Sequence, residues 1–320
     1  MKYDFWIEPT TQCNLKCKMC TLGHENSVMS EKLQNIVAQY AHKACKNMHL
    51  YLRGEPLLAG LKWFSNFFKL NNDGDVYYKV ITNGMLLDQS FAHLFSQYNV
   101  DLIFSIDSAD PSTFSRIRRG ASLDTIEFSL KLAHEMGIKT SIYCTVQKYN
   151  VESFKDILNF AISHNVHSVG LGFVVEPRSC SFTWTPQIVQ SFLEFPSQLQ
   201  GAGLSSCGLP QFIPGHKLTN GKYYRFDEPT QLSCDQCRRT LCVTSSGEVS
   251  VCFKLPRIIG NLEKISLAEL LKSEKLRCLQ MKINSDNPPD MCKVCTWSGY
   301  GLTSLPGWRM SSASFNHHTL

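Results

Sequence analysis

No stretch of about 18 uninterrupted apolar residues occurs in the 320-residue chain, so a membrane-spanning helix is not expected. The opening MKYDFWIEPT lacks the profile of a secretory signal, with three charges and no long apolar run. Dense basic blocks are also missing. The formal charge of +5 is mild, and basic residues cluster only as pairs such as Arg118-Arg119 and Arg238-Arg239, which read as solvated surface. Neither nucleic acid nor a membrane is therefore an expected partner, and the chain is expected to be cytoplasmic. No internal repeat is visible, which argues against a solenoid.

Cysteine is abundant, at fourteen residues. In a reducing compartment these thiols are poor disulfide candidates and are better read as metal ligands, catalytic thiols or core residues. Cys13, Cys17 and Cys20 fall together. Cys234, Cys237, Cys242 and Cys252 form a second group, and Cys292 and Cys295 make a CxxC pair. Cys45, Cys144, Cys180, Cys207 and Cys278 stand alone, and Cys144, inside an apolar run, reads as a small buried hydrophobe.

Short apolar runs alternate with amphipathic stretches through the first half. Strands are predicted at 5–7, 49–52, 77–82, 102–106, 140–146 and 169–175. Helices are predicted at 30–45, opening on a Ser N-cap, and at 61–70, 90–98, 123–136 and 153–164. Six β–α alternations predict an α/β fold with parallel strands, a partial (β/α)6 TIM-like barrel or an open sheet. In such folds chemistry sits at the C-terminal ends of the strands. The first cysteine group, Arg53-Gly54-Glu55-Pro56, Asn83-Gly84, Ser105, Asp107, Thr145, Gln147 and Asn150 all fall there. The rhythm breaks after Pro177. The expected organisation is a barrel over 1–200, a linker or lid over 201–232, a small Cys-rich unit over 233–308 and a tail over 309–320.

The first group reads CNLKCKMC, Cys-x3-Cys-x2-Cys. Three thiolates can hold a [4Fe–4S] cluster and leave one iron open to an external ligand. The bland alternative is a zinc site completed by His24. CNLKCKMC and RGEPLL together resemble the CxxxCxxC and GGEPLL motifs of the radical S-adenosylmethionine (SAM) superfamily, and the resemblance extends over the first half of the chain. It implies that Cys13, Cys17 and Cys20 bind the cluster and that SAM chelates the open iron. It also implies that Gly54, Glu55 and Pro56 meet the methionine end of SAM, that Met19 packs near its adenine, and that Ser105 and Asp107, with Thr145 and Asn150, contact its ribose. Arg53 departs from the family's Gly. Arg116, Arg118 and Arg119 are three candidates for SAM's carboxylate.

The C-terminal unit, SCDQCRRTLCVTSSGEVSVCFKLPRIIGNL followed by DMCKVCTW, resembles the SPASM and twitch domains. No cysteine follows Cys295, which points to the twitch form with one auxiliary [4Fe–4S] cluster. The resemblance implies Cys234, Cys252, Cys292 and Cys295 as its ligands. Cys237 competes with Cys234, and Cys242 reads as core. The two CxxC pairs also have a zinc-ribbon composition.

The resemblance implies a flavodoxin- or ferredoxin-type electron donor, reductive cleavage of SAM to a 5′-deoxyadenosyl radical and removal of a substrate hydrogen. A fully ligated auxiliary cluster points to two-electron oxidation, a dehydrogenation. With the motif starting at residue 13, a leader-binding domain has no room, which favours a small polar substrate such as a sugar or aminocyclitol over a short peptide. The alternatives are an epimerase or peptide maturase, with Cys144, Cys180, Cys207 or Cys278 as hydrogen donor, and a non-catalytic Fe–S or zinc protein. Glu176, Arg178, Trp184, His216, Tyr223, Tyr224 and Arg225 are candidate pocket residues.

Overall fold

The computed structural model describes residues 3–21, 26–71, 76–174, 178–180, 182, 185–207, 216–219, 222–225, 234, 236–253, 255 and 257–293. Six parallel strands follow one another in the sheet: β1 (Tyr3–Ile7), β2 (Cys45–Leu50), β3 (Tyr77–Thr82), β4 (Val100–Ser105), β5 (Lys139–Val146) and β6 (Ser168–Phe173). Helices α1 (Glu31–Ala44), α2 (Leu61–Leu70), α3 (Gln89–Ser96), α4 (Pro111–Ile117), α5 (Leu123–Glu135) and α6 (Asp156–Ser163) fill the crossovers. Ser30 caps α1 as the sequence predicts, its Oγ accepting the Leu33 N–H at 3.2 Å.

Three elements depart from the sequence pattern. β2 starts earlier than its apolar run because its polar start pairs with β1, where Asn47 donates to Asp4 Oδ1 at 2.8 Å. α4 is only seven residues long, launched by Asp110, which accepts the Thr113 N–H at 2.7 Å, and by Pro111 in the first turn. α7 (Pro186–Gly201) carries Pro196 in its interior, a residue that reads as a helix breaker. It leads to β7 (Ser205–Ser206), which pairs with β6.

A short hairpin, β8 (His216–Thr219) with β9 (Lys222–Arg225), is a separate two-stranded sheet. The remainder comprises α8 (Gln236–Arg239), β10 (Thr240–Val243), β11 (Glu248–Ser250), β12 (Gly260–Asn261), α9 (Leu267–Leu271), α10 (Glu274–Ile283) and α11 (Asp290–Lys293). β10 joins the free edge of β1 in parallel, matching Asp4 with Thr240 and Ile7 with Val243. The full sheet runs β12-β11-β10-β1-β2-β3-β4-β5-β6-β7. The Cys-rich segment thus continues the sheet of the barrel.

The two faces of the sheet differ in chemistry. Phe5, Ile7, Met48, Leu50, Tyr78, Val80, Leu102, Phe104, Ile142, Val169 and Leu171 are buried on the helix side. α2 supports them with Trp63, Phe64, Phe67 and Phe68. Phe64 meets Phe95 of α3 edge-on at 5.2 Å, and Phe68 lies 4.7 Å from Tyr78. The alternate residues, Trp6, His49, Lys79, Asp101, Ser141, Tyr143 and Ser168, form the opposite, inner face, which is largely polar.

Candidate active site at the strand C-terminal rim

The first cysteine loop leaves β1 and is pinned from two sides. Lys16 and Lys18 donate their backbone N–H groups to Arg119 O (3.0 Å) and Ile117 O (2.9 Å) at the end of α4, and Leu15 is buried beneath them. Cys20 N–H closes a turn onto Cys17 O at 3.1 Å. Cys13 and Cys17 are half-buried and Cys20 is exposed, and Cys20 lies close enough to help raise the pKa of both Cys13 and Cys17. Burial pushes the Cys13 thiol up, partly offset by the Leu15 N–H. It pushes Cys17 to about 11 against the opposing pull of Arg118. Metal binding must draw off these protons, because the thiolate is the ligand. Met19 is half-buried on the same loop. His24 lies outside the described residues.

The RGEP segment packs under that loop. Gly54 has φ +69°, and a Cβ there would come within 2.6 Å of Thr10 O and 2.5 Å of Gln12 O, so only glycine fits. Glu55 is fully enclosed. Its backbone N–H donates to Gln12 O at 2.6 Å, and its carboxylate accepts from Thr82 Oγ1 (2.6 Å), Asn83 N (2.7 Å) and Leu57 N (3.2 Å). Burial nonetheless raises its pKa to about 7. The carboxylate therefore ties the β2 and β3 ends together, and Pro56 begins the 3-10 turn that follows. Asn83 extends the tie, donating to Asn14 Oδ1 at 2.8 Å. Arg53 forms a two-pronged ion pair with fully buried Glu8, at 2.5 and 3.0 Å, and Glu8 also accepts from Ser245 N and Oγ at 3.0 and 2.9 Å. The residue that departs from the family motif thus links the rim to the turn after β10.

At the ends of β4 and β5 a second buried pair forms. Arg118 Nε lies 2.8 Å from Asp107 Oδ2, both groups being almost wholly enclosed. Burial works against the charge on Arg118, but Asp107 and then Cys17 outweigh it and its pKa rises. Asp107 Oδ1 also accepts the Thr145 N–H at 2.8 Å, while Asn150 donates to Asp107 O (2.7 Å) and Thr145 O (3.1 Å). Ser105 is half-buried opposite Tyr143. Of the three arginines, Arg118 is the one beside the cysteine loop in the interior; Arg116 lies over the Tyr149 ring at 5.2 Å, and Arg119 is exposed. Gln147, fully buried at the rim end of β5, has neither side-chain Oε1 nor Nε2 hydrogen-bonded. An unmet donor and acceptor in this place suit a polar ligand.

Below the rim lie residues that the sequence pattern did not single out. Trp6 stacks on His49 with ring centres 4.3 Å apart and planes within 1°, and Phe253 stacks on Trp6 at 4.8 Å. Burial, with Lys79 nearby, holds His49 neutral by lowering its pKa to about 3. Burial raises the pKa of Tyr51 to about 12 and that of Tyr143 further still. Their alternation along the strands was visible. Which side faces away from the helices was not.

In the C-terminal unit, Cys234, Cys237, Cys242 and Cys252 draw close around β10. Cys237 is buried, its Sγ 3.1 Å from Cys234 O and 3.5 Å from Asn284 Nδ2, and Asn284 Oδ1 accepts the Cys234 N–H at 2.6 Å. The Cys234 contact first, then Asn284, lowers the Cys237 pKa against its burial. Cys242 is fully buried in β10. Cys252 is half-buried and Cys292 buried. Cys295, Glu176 and Trp184 lie outside the described residues, as do the side chains of Arg178, His216, Tyr223, Tyr224 and Arg225. Cys144 and Cys180 are buried, Cys207 half-buried, and Cys278 exposed on α10.

The donor chemistry suits the groups that the motifs imply: a thiol-bearing loop at the rim, an unmet amide at Gln147 and a buried cation at Arg118. Residues 7–161 match the radical SAM superfamily, and residues 234–296 match SPASM, an iron–sulfur cluster-binding domain. This is a radical SAM enzyme with a C-terminal SPASM domain. Its cofactors are SAM and [4Fe–4S] clusters. The cysteine-type anaerobic sulfatase-maturating enzyme of Clostridium perfringens is 23% identical over 91% of this chain and 85% of its own length. The GTP 3′,8-cyclase of Peptoclostridium acidaminophilum is 24% identical over 77% of this chain and 78% of its own. Among solved structures, native anSMEcpe with bound AdoMet and the Cp18Cys peptide superposes with a TM-score of 0.71 at 19% identity, covering 93% of this chain and 87% of that one. Streptococcus suis SuiB bound to S-adenosylmethionine gives 0.70 at 16%, covering 98% and 77%. At these identities the structural likeness concerns the fold. No described helix is long and apolar enough to cross a membrane.

Proposed function

We propose that this radical SAM enzyme oxidises a peptide side chain by two electrons, using a twitch-type auxiliary cluster as the electron acceptor. Cys13, Cys17 and Cys20 hold the SAM-binding cluster. Cys252, Cys292, Cys295 and one of Cys234 and Cys237 hold the second. Bound there, the first cluster and SAM would supply reductive SAM cleavage and removal of a substrate hydrogen, and the second cluster would supply an acceptor for the remaining electron.

The chain's own residues position and enclose that chemistry. The Gly54–Pro56 backbone receives the methionine end of SAM, with the Glu55 carboxylate bracing the loop from behind. Arg118, held by Asp107, faces SAM's carboxylate. Thr145, Asn150 and Ser105 border the ribose, Met19 the adenine, and Gln147 supplies a free amide to the same ligand. The inner face carrying Trp6, His49 and Lys79 holds the substrate and keeps water out.

The observation that carries the oxidising reading is the ring stack Phe253–Trp6–His49. Phe253 follows Cys252 directly, so a cysteine of the second group adjoins the inner face of the sheet through rings 4.8 and 4.3 Å apart. The peptide reading is supported by relatives similar over most of their length, among them the sulfatase-maturating enzyme, and by the peptides bound in anSMEcpe and in SuiB with its precursor SuiA. The polar inner face also suits a sugar or aminocyclitol, which is the second reading.

The reduced, reconstituted protein is expected to form 5′-deoxyadenosine from SAM and to release peptide product lighter by two hydrogens. Cys17→Ala should do neither. Deuterium returned to the substrate from solvent, with no mass loss, would instead mean epimerisation.

A further inference from the structure

Five cations lie on the loop that carries the exposed Cys20 and on the segments that touch that loop: Lys16, Lys18, Arg116, Arg119 and Lys148. Three of them surround one ring, with Lys18 Nζ 4.4 Å, Lys148 Nζ 5.0 Å and Arg116 Cζ 5.2 Å from the centre of Tyr149. Their segments are stitched together. Lys16 and Lys18 bond through their backbones to Arg119 O and Ile117 O, Lys148 N–H donates to Cys180 O at 2.9 Å, and Cys180 Sγ lies 3.6 Å from Lys18 O. Among the described residues none of the five cations forms an ion pair with a carboxylate. Elsewhere on the surface Lys32, Lys62, Lys131, Lys155 and Arg277 all do. Asp110, the carboxylate felt by Arg116, caps α4 and accepts from Ser112 and Thr113.

Three segments thus hold a patch of positive charge that no carboxylate among the described residues pairs, on the loop whose Cys20 is exposed. A net charge of +5 spread over 320 residues would not by itself create such a patch. Packing the cations on a tyrosine ring holds them in place and leaves their charge outward. We propose that this face docks a small acidic one-electron carrier protein, which delivers its electron to the cluster through the Cys20 edge. The proposal rests on the cluster assignment above and adds the entry side for the electron. One electron leaves the carrier's reduced flavin or iron–sulfur centre and one arrives on the cluster, with no proton or bond transferred. Charge of opposite sign on the two faces speeds encounter and makes the rate fall with ionic strength.

The test uses the full, reconstituted protein under anaerobic conditions, with flavodoxin hydroquinone as probe and photoreduced deazaflavin as a small reductant that needs no docking. Lys16→Glu/Lys148→Glu is compared with Lys264→Glu/Lys275→Glu/Lys282→Glu, which reverses charges on the C-terminal helices and their approach. Lys148→Glu alone covers the case in which the double variant loads less iron. The rim variants should slow cluster reduction by flavodoxin about tenfold or more and flatten its salt dependence. Calorimetry should show weaker binding of oxidised flavodoxin, while iron content and reduction by deazaflavin stay unchanged. Reduction by flavodoxin at the wild-type rate, or equal slowing by both sets, would overturn the docking face and leave the cluster assignment standing. A wild-type protein with no cluster reducible by deazaflavin would overturn the assignment and the docking face together.

Discussion

The rim cysteines hang from a single loop after β1, bracketed by backbone bonds to the end of α4. Those of the C-terminal unit are spread over the approach to α8, α8 itself, β10, the segment after β11 and α11. The first arrangement needs only a short motif and one strand end. The second needs β10 to find the edge of β1 and α10 to present Asn284 to Cys234 and Cys237. Chemistry confined to one loop can be read from spacing, whereas chemistry assembled across a fold is read only through resemblance to a known domain. The difference fits the two proposed roles, an electron arriving at the exposed Cys20 edge and an electron leaving by the Cys252 segment, which the Phe253–Trp6 stack backs.

The sharpest way to break this comparison is to remove one site at a time. Cys17→Ala should reduce 5′-deoxyadenosine formation to background. Cys252→Ala should retain SAM cleavage while losing the oxidised product, as shown by chromatography of both products from one reaction. If both variants lose cleavage equally, the two sites do not have separate roles.

The supports beneath the rim come next. Arg118→Gln leaves Asp107 buried without its partner and should cost about 3–5 kcal/mol in denaturant unfolding. Asp107→Asn added to it should recover part of that loss. Gly54→Ala forces a Cβ against the Thr10 and Gln12 carbonyls at positive φ and should cost about 1–3 kcal/mol, with weaker SAM binding by calorimetry. No corresponding loss is expected for Cys278→Ser, on an exposed helix position, in either stability or iron content.

The smallest effect is a pH slope. Glu55, with its pKa raised from 4.5 to about 7, keeps a proton in the folded protein that the unfolded chain has already released in that window. Stability should therefore fall as pH rises from about 4.5 to 7, and Glu55→Gln should flatten that part of the profile.

Much of the barrel was legible because six apolar runs and their helices are local patterns. β3 and α2 fall where the periodicity puts them. The continuation of the sheet through β10 was not legible, since strand pairing between residues 4–7 and 240–243 leaves no local trace. Arg116, Arg118 and Arg119 were indistinguishable in sequence. The C-terminal end of α4 turns Arg118 inward to Asp107 and leaves its neighbours outside. The hydrogen bonds that the Glu55 oxygens accept from Thr82, Asn83 and Leu57 are a matter of loop geometry that the motif does not encode. His49 and Lys79 alternate like surface residues and lie on the inner face of the sheet.

The most direct measurement is iron and acid-labile sulfide per chain after anaerobic reconstitution, in the wild type and in Cys13→Ala/Cys17→Ala/Cys20→Ala. Two [4Fe–4S] clusters give about eight irons, falling to about four. About four irons falling to none, with zinc retained in the triple variant, would contradict this: the C-terminal unit would be a zinc module, and the electron acceptor would be lost.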